Sequence, residues 1–262
     1  MKLNVLISCM NETASVIDRS NIQTDVVVVN QCDKESIEEF DFRNKKGQFC
    51  HAKIINTKER GLSRSRNMAI IHAWGDICVL CDDDEVFVDN YEELILEAYQ
   101  KHPESIVNTF ALNRLDCNRT YPTESRLLGF SDILRTNSLQ ITFNKKKIDT
   151  YNIRFDVKMG SGTGNGGGEE NMFMKSCYST REKMFYTPSV IATILPGKSQ
   201  YFNGFTREWF KNFGWSSRRI LGSLLGFFYI IRFLKVNRAR YIETTGLFRA
   251  FLDSMSGFFA KR

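Results

Sequence analysis

The chain has 262 residues, 42% hydrophobic and 25% charged, which excludes a disordered chain and leaves one large domain with an appendage or two small domains. The net charge of +6 is lodged at one end: residues 198–262 hold twelve Lys or Arg against three Asp or Glu, so everything before them is net acidic. Seven cysteines, an odd number scattered through apolar runs, predict free thiols in a reducing compartment, and Met1 to Ile7 is too short an apolar run for a signal peptide.

Leu3 to Ser8 is nearly all apolar and predicts a first buried strand; Glu12 to Ser20 reads as a short helix. Asp25 to Val29 predicts a second strand ending at Asn30-Gln31-Cys32-Asp33, and Phe49 to Asn56 a third. Ser63 stands where it would cap a helix from Arg64 to Ala73, which Gly75-Asp76 ends. A fourth strand, Ile77 to Cys81, runs straight into Asp82-Asp83-Asp84-Glu85. The carboxylates therefore fall at the carboxyl end of a strand, where open α/β sheets bind ligands. Four adjacent carboxylates repel one another, and Mg²⁺ or Mn²⁺ would relieve that repulsion with the oxygen ligands such cations prefer. A solvated acidic turn capping the next helix is the plainer reading. Cys78 and Cys81 form a C-x-x-C, but three apart on a strand they face opposite sides and are ill placed to share a metal or a disulfide.

Asp89 to Lys101 predicts a helix capped by Asp89, Ser105 to Leu112 a strand, and Ile153 to Val157 a short strand; residues 113–150 show little periodicity. Gly160 to Gly168 packs six glycines into nine residues. Its G-x-G-x-x-G at Gly162, Gly164 and Gly167 lies far from the first βα unit, the usual place of a dinucleotide fingerprint. The remaining readings are a mobile linker, or a gate that delivers Glu169 and Glu170 at the start of a helix over Met172 to Tyr178. Phe185 to Ile194 gives a last strand, interrupted by Pro188.

After Pro196-Gly197 the composition changes. Tyr201, Phe202, Phe205, Trp209, Phe210, Phe213 and Trp215 interleave with Arg207, Lys211, Arg218 and Arg219. The uncharged run Ile220 to Ile231 falls short of the about 20 residues that span a bilayer. Aromatic and basic residues at helical spacing suit an anionic membrane surface; packing on the main domain is the alternative, and no nucleic-acid partner is expected.

Taken together these motifs resemble the family 2 glycosyltransferases. The resemblance rests on Val28-Val29-Asn30-Gln31, Arg60-Gly61-Leu62-Ser63 with Arg66-Asn67, Asp82-x-Asp84 and Gly168-Glu169-Glu170, in that order. It implies a GT-A α/β fold, a mainly parallel sheet flanked by helices, over residues 1–200, with 201–262 as a basic aromatic helical tail. It further implies inverting transfer from a nucleotide-diphosphate sugar, a UDP-sugar foremost, to a hydroxyl of a glycan or lipid-linked glycan, as in bacterial surface-polysaccharide assembly at the cytoplasmic side of the membrane. By position, Ser8 and Cys9 would line the nucleobase pocket, Asn30 and Asp33 would approach the base, and Arg66 would hold the nucleoside or its phosphates. Asp82 and Asp83 would face the donor, Asp84 with Asp82 would hold Mg²⁺ or Mn²⁺, Glu170 would be the base and Glu169 would position the acceptor. The family usually has Asp where this chain has Glu170. It often has a His after the base, whereas His51, His72 and His102 all lie upstream here. A sugar nucleotidyltransferase would want an early Gly-rich loop, which Cys9-Met10-Asn11-Glu12 does not provide; an inactive sugar-nucleotide binder remains the other alternative.

Overall fold

Residues 1–115, 117, 119–195 and 204–260 are described in a computed structural model of the chain. In chain order its elements are β1 (Leu3–Met10), α1 (Ser15–Arg19), β2 (Asp25–Gln31), β3 (Ser36–Arg43), β4 (Phe49–Thr57), α2 (Leu62–His72) and β5 (Ile77–Asp82). Then follow β6 (Glu85–Phe87), α3 (Tyr91–Lys101), β7 (Ser105–Arg114), β8 (Arg126–Leu127), α4 (Phe130–Ile133), β9 (Ile141–Asn144), α5 (Lys145–Thr150), α6 (Glu169–Ser179) and β10 (Lys183–Ile194). Two helices close the chain, α7 (Arg207–Val236) and α8 (Leu247–Phe259).

The apolar runs of β1, β2 and β5 are buried on both faces, as parallel strands require. β1 lies between β2 and β5, parallel to both, with β4 parallel outside β2. The chain leaves β1 on one side and returns through α2 to the other. Such a reversal is where open α/β sheets take ligands, and at the carboxyl ends of β1 and β5 Ser8 is in register with Asp82. Beyond β5 the sheet is mixed: β9 is antiparallel to β5 and β7, β10 is parallel to β7, and β6 and β8 are antiparallel to β10. Alternation sends Val5, Ile7, Val79 and Cys81 to the core under α1 and α3, and Leu6, Cys78 and Leu80 to the core under α2 and α6. Cys78 and Cys81 thus sit in different cores, and all seven cysteines are unpaired.

Several local expectations are corrected. The first helix is only Ser15–Arg19, because the Asn30 side chain holds both the N–H and the C=O of Glu12, at 2.9 and 2.8 Å. α2 starts at Leu62 behind Gly61, and the Ser63 hydroxyl donates to the Met159 carbonyl at 2.7 Å instead of capping. Asp89 does not cap α3; it pairs with Lys45 and accepts from Asn21. Ile153 to Val157 is no strand, because the Asn67 side chain binds both backbone polar groups of Phe155. β3, which the sequence does not announce, is exposed along most of its length, so it carries no buried alternation to read.

The tail is a helical unit with its own small core of Phe210, Ile230, Leu234, Tyr241, Ala250 and Phe258. Gly222, at φ 77° and ψ −179°, breaks α7 into two arms. They fold back on each other: the Phe213 ring is 4.4 Å from Phe233 and 5.7 Å from Tyr229. α8 crosses the first arm at Gly214 and Gly257, where an added Cβ would overlap the Ser254 and Lys211 carbonyls. Trp215 and Ile220 pack on Met159, and Arg219 pairs with Asp156, which ties the unit to the sheet domain. The expected boundary at residue 200, with Tyr201 and Phe202, lies outside the described residues. Among the described residues no helix is long and apolar enough to cross a membrane.

Candidate active site

Arg66, on α2, is 2% exposed. Its Nη2 lies 3.1 Å from Asp82 Oδ1, and its Nη1 lies 3.4 Å from Glu169 Oε1. The guanidinium also sits 5.4 Å from the centre of the Phe155 ring. One buried cation therefore joins the acidic turn after β5 to the acidic pair that opens α6. Burial alone would lower the pKa of Arg66; the charges of Asp82, Glu169 and Glu170 outweigh it and keep the group protonated. Without the guanidinium, these carboxylates would face one another in a poorly solvated place.

Gly168, in the left-handed conformation at φ 87°, turns the chain into α6 and sets Glu169 and Glu170 in its first turn. A Cβ there would stand 3.1 Å from the Ile220 side chain, so the position favours glycine twice over. Glu169 is nearly buried, and its Oε2 has no hydrogen-bond partner among the described residues. Burial, and then the charge of Glu169, push Glu170 up to about 8, with Arg66 pulling the other way. A carboxylate so poised takes up a proton near neutral pH far more readily than an ordinary one. The glycine loop is anchored at its near end, where the Leu62 N–H donates to the Ser161 carbonyl at 3.0 Å.

The acidic turn is strained electrostatically. Desolvation, and then the charge of Asp82, raise Asp83 and Asp84 above the usual carboxylate range. Glu85 is 1% exposed, and neither carboxyl oxygen has a hydrogen-bond partner among the described residues. Burial, then Asp82 and Asp84, hold its carboxyl well above its ordinary value. As the fourth acid of a run it reads as solvated; in the fold β6 pairs with β10, with Glu85 in register with Ile194. Asp82, Asp83 and Asp84 are hard oxygen donors whose repulsion a divalent cation would offset, and in that sense the residues fit one. Among the described residues no three ligating side chains converge, so the fit is to a cation held partly by a ligand's phosphates.

The other predicted residues take varied places. Ser8 is buried, accepting from Ser65 Oγ at 3.0 Å on the α2 side of the sheet. Cys9 turns into the opposite core, and burial pushes its thiol up to about 12. Asn30 spends its amide on Glu12 and Asn56, so it holds the turn after β1 in place. The Asp33 side chain is 98% exposed at the rim and pairs with Arg60 at 2.7 Å. Gln31, next to Asn30, accepts from the Gly61 N–H at 2.7 Å and so fixes the start of α2. Phe155, in the irregular stretch that Asn67 holds, stacks on Phe173 with centroids 4.5 Å apart beneath Arg66.

A switch point in the sheet, with an acidic turn joined through Arg66 to a second acidic pair, is the frame of a glycosyltransferase. The chain belongs to glycosyl transferase family 2, whose family model matches residues 7–164, and it has the GT-A fold. Among solved structures it is similar to S. aureus TarS 1–349 in complex with UDP-GlcNAc, at TM-score 0.62 and 14% identity, over 98% of this chain and 89% of that one. It is also similar to the mannosyltransferase PcManGT from Pyrobaculum calidifontis in complex with GDP-Man and Mn²⁺, at TM-score 0.54 and 13% identity, over 98% and 73% of the two chains. No curated protein matches it in sequence.

Proposed function

We propose that the protein transfers a sugar from a nucleotide-diphosphate donor, foremost a UDP-sugar, to a hydroxyl of a glycan or lipid-linked glycan acceptor, with inversion. The observation that carries this reading is the bridge Asp82–Arg66–Glu169, which brings the two acidic groups to one place. Glu170 accepts the proton of the acceptor hydroxyl as that oxygen bonds to the anomeric carbon. The anomeric C–O bond to the diphosphate breaks, and its electron pair leaves with the nucleoside diphosphate. Attack opposite the leaving group inverts the carbon through an oxocarbenium-like transition state. Asp84 and Asp82 would hold Mg²⁺ or Mn²⁺, which when bound supplies positive charge for the leaving diphosphate. Arg66 keeps Asp82 and Glu169 aligned on either side. Ser8, Asn30, Asp33 and Asp83 line or support the donor end.

The tail supports placement on the cytoplasmic face of an anionic membrane. Leu224, Leu225 and Phe228 on the second arm of α7 are 70%, 56% and 59% exposed, and Phe248 on α8 is 75% exposed. Arg232, Lys235, Arg238 and Arg240, also exposed, follow that arm. Apolar side chains flanked by cations match the boundary between acyl chains and anionic headgroups.

The test is nucleoside diphosphate release from UDP-, GDP- and dTDP-sugars with Mg²⁺ or Mn²⁺, and the anomeric configuration of any product by NMR. Wild-type turnover in Glu170→Gln would remove Glu170 as the base, and a retained anomeric configuration would exclude single displacement.

A further inference from the structure

Between the first turn of α6 and the two arms of α7 lies a cavity of about 160 Å³. Gly168 and Asn171 form one wall; Trp209, Phe213, Ser217 and Tyr229 form the other. A cavity of about 150 Å³ accommodates a benzene ring, so this one has room for one six-membered ring. Neither wall carries a charged side chain. Each offers a polar group with capacity to spare. Asn171 donates its amide N–H groups to the Ile133 and Thr136 carbonyls, which leaves its side-chain oxygen free to accept among the described residues. The Ser217 hydroxyl likewise has no hydrogen-bond partner among the described residues, although the residue is 3% exposed.

We propose that this cavity is a subsite for an uncharged pyranose ring of the acceptor, and that the tail therefore builds the acceptor wall of the active site. The inference rests on the glycosyl-transfer reading for its purpose, since Asn171 and Gly168 flank Glu169 and Glu170 on the same turn. A pyranose presents apolar C–H faces and a rim of hydroxyls. Aromatic side chains with a few placed polar groups suit that chemistry, whereas a phosphate or carboxylate would ask for a cation. Leu221 reaches the same cavity, and directly beyond it come the exposed Leu224, Leu225 and Phe228. An acceptor sugar carried on a lipid could thus lie with its chain along that stripe while its ring enters the cavity.

The test uses the full chain and octyl β-D-glucoside, galactoside, mannoside and N-acetylglucosaminide below their micelle concentrations. Saturation-transfer NMR reads which ligand protons touch protein, and titration calorimetry with UDP and Mg²⁺ reads the donor end. Sugar-ring protons of at least one glycoside should be saturated in the wild type. Trp209→Leu and Tyr229→Leu should each weaken that binding about tenfold, about 1.4 kcal/mol, without changing UDP affinity. Two variants are needed because Trp209 also packs against Phe205, Phe210, Phe213 and Phe233, whereas Tyr229 packs against Phe213 alone among the described ring contacts. Saturation confined to the octyl chain, binding unchanged in both variants, or no glycoside bound at all would each overturn the subsite. Ring saturation in a protein that binds no UDP would leave the subsite standing and sink the donor reading instead.

Discussion

The sheet domain and the helical tail handle charge and apolar surface in opposite ways. In the sheet domain apolar residues fill two cores, and the unusual groups inside are ionisable: Arg66, Glu169 and Glu85 are all nearly buried. In the tail the core is small, many of its large apolar side chains face outward, and Arg232, Lys235, Arg238 and Arg240 are exposed. The first arrangement makes a poorly solvated place in which charge does chemistry. The second leaves apolar surface exposed.

Four changes would break or sharpen that contrast. Glu170→Gln should lower the transfer rate about 10²- to 10⁴-fold, the range for losing a general base, with calorimetric affinity for UDP unchanged. Arg66→Met should destabilise the fold by about 3–5 kcal/mol, because it strands buried carboxylates; urea unfolding would show it. A small loss there would mean that Asp82 and Glu169 are solvated and that no bridge operates.

The third change is in pH. The base must be ionised, so the transfer rate should climb as pH rises through about 8, where Glu170 titrates. Stability has the opposite sign. A folded-state value raised above the ordinary 4.5 means the native state holds a proton that the unfolded chain has lost. The stabilising contribution is whole below about 4.5 and fades as pH climbs through about 8. Melting temperatures across that window should fall in the wild type and fall less in Glu170→Gln. Glu169→Gln, which removes the neighbouring charge, should move the rise in rate to lower pH.

The smallest effect on the fold belongs to the tail. Phe228→Asp and Phe248→Asp, both on exposed side chains, should shift stability by less than about 0.5 kcal/mol. They should nevertheless abolish co-sedimentation with vesicles of phosphatidylglycerol. If they instead turn a dimer into a monomer, the outward face is a contact between copies of this chain.

Much of this was legible beforehand, for a physical reason. Strands buried on both faces read as plain apolar runs, so β1, β2 and β5 and the acids after β5 could be placed from composition alone. What escaped is what long-range partners decide. Ser63 resembles a cap until Met159 claims its hydroxyl. Ile153 to Val157 resembles a strand until Asn67 takes its backbone. Glu85 resembles a solvated acid until β6 pairs with β10. The position of Arg66 between two acidic groups follows from α2 and α6 meeting over the sheet, which no local pattern announces.

Gly222 carries a consequence for assembly. Unbroken, the 30 residues of α7 would make a rod about 45 Å long. Its aromatic contacts, Phe213 with Phe233 and Trp209 with Phe233, would then be out of reach within one molecule. Any side chain at this left-handed position favours the rod, and two rods could regain those contacts only by trading arms. Gly222→Ala should therefore shift the protein toward a domain-swapped dimer on gel filtration.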